Sequence, residues 1–75
     1  MTEYAYFLVD STAQAMRLEK ILMDKGVECK LVPVPRQFSS DCGLCARVPK
    51  SLLEPAVKLL AAAKAAYREI VFDYA

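Results

Sequence analysis

Tyr4-Ala5-Tyr6-Phe7-Leu8-Val9-Asp10-Ser11-Thr12-Ala13-Gln14 is the stretch from which the fold can be read. Tyr4 to Val9 is aromatic or apolar at every position, the pattern of a strand buried on both faces. Asp10-Ser11-Thr12 stops it. Ser11 with Gln14 three residues later makes a capping box, in which each side chain satisfies an orphan amide of the first helical turn. Ala15, Leu18, Ile21 and Leu22 then recur at helical spacing, while Arg17, Glu19, Lys20 and Asp24 take the other side. Gly26 follows Lys25, as a left-handed helix end prefers.

Val27 to Pro33 alternates loosely and reads as a second strand ended by proline. Val34 to Gly43 has no period of its own. Leu44 to Val48 resumes as a strand and stops at Pro49. Ser51 with Glu54 repeats the capping box, and Pro55 stands near the edge of the first turn. Leu53, Val57, Leu60 and the alanines from 61 to 66 continue this second helix, and Ile70-Val71-Phe72 forms the last strand. Two similar strand-helix-strand halves are visible. With right-handed crossovers they predict an α+β, ferredoxin-like βαββαβ fold, with two helices on one face of a four-stranded antiparallel sheet. One domain is expected over residues 1–75, because a chain this short has material for a single thin core.

Composition narrows the function. A hydrophobic fraction of 56% with 25% charged residues argues for a folded globule. A net charge of +1 gives no general attraction to nucleic acid or acidic lipid. The absence of histidine removes imidazole bases, Cys-His nucleophile pairs and imidazole zinc sites. Glu3 stands where a secretory leader would carry Lys or Arg, and Lys58 and Lys64 interrupt the richest apolar stretch. Three cysteines are too few for a disulfide scaffold. The expectation is a cytoplasmic thiol protein that binds neither nucleic acid nor membrane. The aromatic residues of strand one read as core, since strand three offers none to complete a base-stacking surface.

The connection from Val34 to Gly43 is anomalous, because a hairpin usually needs two to five linking residues and this one has about ten. Long ordered loops are often functional, and a rigid proline-rich crossover is the alternative. Cys42 stands at its end beside Gly43, which frees the backbone to turn and present the sulfur. Ser39, Ser40 and Asp41 favour an Asx-type turn there. Arg36 and Arg47 flank the site in sequence and favour a thiolate, with Asp41 pulling the other way. Burial as a small hydrophobe is the other reading of Cys42.

Cys45 completes a C-x-x-C with Cys42, but the pair opens a strand and not a helix N-terminus, where a redox dithiol gains its low pKa. Three extended residues span about 10 Å, and a disulfide needs alpha carbons within about 4.4 to 6.8 Å. A bridge therefore needs a turn at Gly43. Cys29 falls early in strand two, away from Cys42, so no metal site and no cofactor are expected.

At Pro35-Arg36-Gln37-Phe38-Ser39-Ser40-Asp41-Cys42-Gly43-Leu44 the chain resembles the selenium/sulfur carrier-like family of small bacterial and archaeal proteins. The likeness covers nearly the whole chain and includes Ser11-Thr12, Glu19-Lys20 and Gly26; the loop is its specific part. The resemblance implies a one-domain cytoplasmic protein that carries sulfur or selenium on the Cys42 thiol. It departs at Cys45, a position usually held by a small aliphatic residue in such proteins.

The leading expectation is thus a carrier and not a catalyst. A donor such as a cysteine desulfurase loads Cys42 as a persulfide or selenosulfide, and an acceptor protein takes the load. Cys45 is the candidate resolving thiol, and Arg36, Ser39, Ser40, Asp41 and Gly43 form the supporting loop. Two rivals stand beside it: a C-x-x-C redox or redox-sensing protein, and a regulatory module without thiol chemistry. A homodimer, or a partner on the open face of the sheet, is also expected, because strand one is apolar on both sides and helices cover only one.

Overall fold

A computed structural model describes residues 3–38 and 43–73. Its elements are β1 (Tyr4–Leu8), α1 (Thr12–Asp24), β2 (Lys30–Pro33), β3 (Leu44–Pro49), a 3-10 turn (Lys50–Leu52), α2 (Leu53–Ala62) and β4 (Glu69–Asp73). The strands form one sheet in the order β2-β3-β1-β4, with every neighbouring pair antiparallel. This is the ferredoxin-like α+β arrangement expected from the pattern. Among the described residues no helix is long and apolar enough to cross a membrane.

The alternation of β1 divides the molecule. Ala5, Phe7 and Val9 face the helices and join Leu18, Leu22, Ala56 and Leu60 in the main core. Phe7 meets Tyr67 edge-on, with ring centroids 4.9 Å apart, a favoured aromatic geometry. Tyr6 and Leu8 point the other way. Both are buried, at 6% and 4% exposure, in a second cluster with Cys45. Val34 and Phe38, from the connection between β2 and β3, pack against that cluster. Part of the sheet's second face, around Tyr6 and Leu8, is therefore covered by Val34 and Phe38 from the chain's own connection. The exposed large hydrophobic residues among those described are Met16 and Met23 on α1.

The helix ends show where local chemistry prevails. Ser11 caps α1 as expected: its Oγ accepts the Gln14 amide at 3.1 Å. The Gln14 side chain reaches one residue further back than the reciprocal box requires, and accepts the Asp10 amide at 2.7 Å. Ser51 does not cap α2. The Leu53 amide donates to the Lys50 carbonyl, which winds Lys50–Leu52 into the 3-10 turn and takes a donor that Ser51 would have served.

Both helices close with the same pair of backbone bonds. Gly26 and Val27 donate to Met23 and Leu22; Lys64 and Ala65 donate to Ala61 and Leu60. This is the Schellman motif, which needs a left-handed residue just past the helix. Gly26 supplies it at φ 81°, and Lys64 supplies it at φ 55°. The alanine run beyond Ala62 is therefore not helical. The same motif shortens β2. Val27 spends its amide on Leu22, and continuing the register would bring Glu28 opposite Pro49, which has no N–H to give. Strand pairing starts at Lys30 and not at Val27.

Candidate functional site

Ser39, Ser40, Asp41 and Cys42 lie outside the described residues. The approaches to them are defined on both sides. Upstream, the Phe38 amide donates to the Pro35 carbonyl at 3.0 Å, closing a turn with Arg36 and Gln37 at its tip. Arg36 is exposed. Downstream, Gly43 is exposed and adopts φ 79°. A Cβ there would meet nothing within 4 Å, so glycine is required by the backbone angle and not by space. The Gly43 carbonyl accepts the Val34 amide at 3.1 Å, tying the two ends of the connection together.

Gly43 bears on the C-x-x-C. Gly43, which stands between its two cysteines in sequence, departs from extended backbone at φ 79°. Cys45 itself is fully buried, opposite Leu8 of β1 and Val32 of β2. Its Sγ donates to the Val32 carbonyl at 3.6 Å. Cys45 therefore belongs to the cluster on the sheet's second face, against which Val34 and Phe38 pack.

Cys29 belongs to the opposite face. It is 2% exposed in the main core, just before β2. Burial pushes its thiol up from 9.0 to about 12, with Glu19 and then Cys45 adding smaller repulsions against the thiolate. At neutral pH it stays protonated and unreactive. Arg47, which flanks the loop in sequence, is turned to another use: its guanidinium carbon lies 4.1 Å from the centre of the Tyr4 ring. The structure thus places Cys29 in the main core, Arg47 over the Tyr4 ring, and Cys45 in the second cluster with Tyr6 and Leu8.

Val34 and Phe38 had no role in the sequence reading. The available signal was two apolar residues four apart in a polar connection, matched to the second apolar face of β1.

A ferredoxin-like α+β sheet that carries a cysteine at the β2–β3 connection is the class these features define. Residues 4–71 match the model of the family described as "Putative Se/S carrier protein-like", and the chain belongs to that family. Comparisons with curated proteins and with solved structures returned no match.

Proposed function

We propose that this protein carries sulfur or selenium on Cys42 and passes it to an acceptor. The observation that carries the reading is the state of the other two thiols. Cys29 and Cys45 are 2% and 0% exposed, and Cys29 is held protonated as well. A donor protein must bring its own sulfur to within bonding distance, which neither buried thiol permits. Of the three cysteines in the chain, that leaves the one in the loop. Family membership supports the carrier reading.

The chemistry is exchange without net oxidation. The Cys42 thiolate attacks the terminal sulfur of a donor persulfide; the donor's S–S bond breaks, and the donor leaves as a thiolate. An acceptor thiolate then attacks the terminal sulfur on Cys42, and Cys42 departs as the thiolate. Arg36, exposed on the same loop, is the cation available to favour the anionic states. Selenium follows the same course as a selenosulfide. A cysteine desulfurase is a suitable donor.

Intact-protein mass spectrometry after incubation with a persulfide donor tests this. One added sulfur mapped to Cys42, and lost in Cys42→Ser, is expected; loading that survives Cys42→Ser overturns it. The positive φ of Gly43, between the two cysteines in sequence, favours a second reading, a dithiol that cycles through a Cys42–Cys45 disulfide. A reversible two-electron potential in protein that never accepts sulfur would establish that reading instead.

A further inference from the structure

We propose that two copies of this chain join through the free edge of β2, in a two-fold dimer where β2 pairs antiparallel with its copy and the two α1 helices lie side by side. The inference stands apart from the carrier reading. It moves the association expected from the sequence from the open face of the sheet to its edge.

The phase of β2 leaves a donor and an acceptor on that edge. The Val34 amide donates to the Gly43 carbonyl, and the register continues from there through Pro33–Leu44, Val32–Cys45, Leu31–Ala46 and Lys30–Arg47. Antiparallel partners alternate between bonded and non-bonded pairs, so Val32 and Lys30 turn their backbone groups to β3, as Val34 does. Leu31 turns its N–H and C=O outward. Pro33 shares the outward phase, where its missing N–H costs the ladder with β3 nothing. Among the described residues β2 is terminal in the sheet and pairs with β3 alone.

An apolar flank stands over the same edge. Met16 and Met23, at 56% and 57% exposure, are the large hydrophobic residues left in solvent among those described. At about 100° per residue they share with Glu19 an arc of about 60° on α1. Ala15, Leu18 and Leu22 mark the side of α1 that faces the core. Glu19 is close enough to Cys29, just ahead of β2, to oppose its thiolate. The methionine flank is therefore the one turned toward β2. Leu31 packs on the helix side of the sheet, beneath it.

Spacing selects a second copy as the occupant. α1 packs on both β3 and β2, the last two strands on this side. With strands about 4.8 Å apart, a helix over the gap between them lies about 5 Å from a two-fold axis at the β2 edge. Its copy is then about 10 Å away, the distance at which helices pack. One partner thus covers the strand edge and the methionine flank together. The two-fold sets Leu31 opposite Leu31 of the second copy, each N–H donating to the other's C=O. Lys30, the one charged residue of β2, falls opposite Val32 of the second copy. The other edge does not suit this operation. β4 begins with Glu69 and ends with Asp73, so a two-fold at Val71 sets carboxylate against carboxylate. One helix flank and one short strand make a small interface, which calls for reversible association in the micromolar range.

Sedimentation equilibrium from about 5 to 500 µM should show a reversible dimer, and a monomer throughout overturns the proposal. Hydrogen exchange in the unmodified protein locates the contact. The Val32 amide, turned to β3, should be protected at every concentration, whereas Leu31 should gain protection, about fivefold or more, only where the dimer is populated. A dimer whose Leu31 amide exchanges equally fast at both ends of the range is built on another surface and overturns it. Met16→Glu with Met23→Glu should weaken dimerisation about tenfold or more and leave Val32 protection unchanged. Undiminished association in that variant overturns the proposal. Met16→Ala with Met23→Ala should act in the same direction and decides the matter if the glutamate pair does not fold. No arm uses Cys42, so failure of sulfur loading overturns the carrier reading alone.

Discussion

On one side of the sheet Phe7 shares a core with Leu18, Leu22, Ala56 and Leu60 from two regular helices; on the other, Tyr6, Leu8 and Cys45 are closed off partly by Val34 and Phe38 from an irregular connection. Each side hides a cysteine, and a static view makes the two look alike. Their routes to exposure differ. The helices are stabilised by their own hydrogen-bond ladders and by matched terminal motifs, so displacing them costs much of the fold. The connection has no regular ladder of its own among the described residues, and packs Val34 and Phe38 against the sheet. Burial describes where a group rests, and the strength of its cover describes how often it is reached.

The largest effect is expected from breaking the strong side. Phe7→Ala removes a fully buried ring that also meets Tyr67, and should cost about 3–5 kcal/mol in denaturant unfolding. For a domain this small that approaches the whole stability, so the variant should be largely unfolded.

Alkaline pH attacks the same side more gently. The Cys29 pKa is raised in the folded protein, from 9.0 to about 12, so the unfolded chain loses its proton first. The contribution is intact below about pH 9 and is lost as pH rises toward 12, at roughly 1.4 kcal/mol per pH unit within that window. Lysines and tyrosines titrate there too. The check is therefore the difference between wild type and Cys29→Ala, whose alkaline slope should be shallower.

Breaking the weak side should cost less. Phe38 is half-buried, and Phe38→Ala should lower global stability by only about 1–2 kcal/mol, read from the same denaturant curves. A loss as large as that from Phe7→Ala would erase the distinction between the faces.

The smallest change sharpens it. Lys64 holds a left-handed conformation at φ 55° that glycine adopts without steric cost. Lys64→Gly should stabilise the fold by about 1 kcal/mol, which slows events that need global unfolding about fivefold. Cys29 alkylation should slow by that factor.

Much of this architecture could be read from pattern: α1 and α2 repeat their apolar residues at helical spacing, and β1 is a short aromatic and apolar run stopped by Asp10-Ser11-Thr12. The Ser11 cap was legible for the same local reason. Ser51 misled because a neighbouring carbonyl, Lys50, took the amide first, and nothing in the residue types announces that competition. The α2 end was extended too far since Lys64 carries no glycine signature. Of the candidate site, the C-x-x-C and the glycine whose backbone takes a positive φ were visible. The covering role of Val34 and Phe38 was not, because a connection without a period gives no sign of which face it folds over.

The strand order carries one further consequence, for how the molecule comes to be folded. β1 precedes the other three strands in the chain yet lies inside the sheet, paired on one side with β3 and on the other with β4. The Tyr4–Asp73 pairing closes nearly the full length of the described chain. During synthesis β1 therefore emerges with apolar side chains on both faces and no neighbour on either edge. Its first edge is satisfied only after β3 is made, its second only after β4. Non-local pairing of this kind slows folding and lengthens the interval in which a sticky segment is accessible to other chains. A chain stalled before Glu69 still presents β1 with an open edge, as a nucleus for aggregation or as a handle for a chaperone.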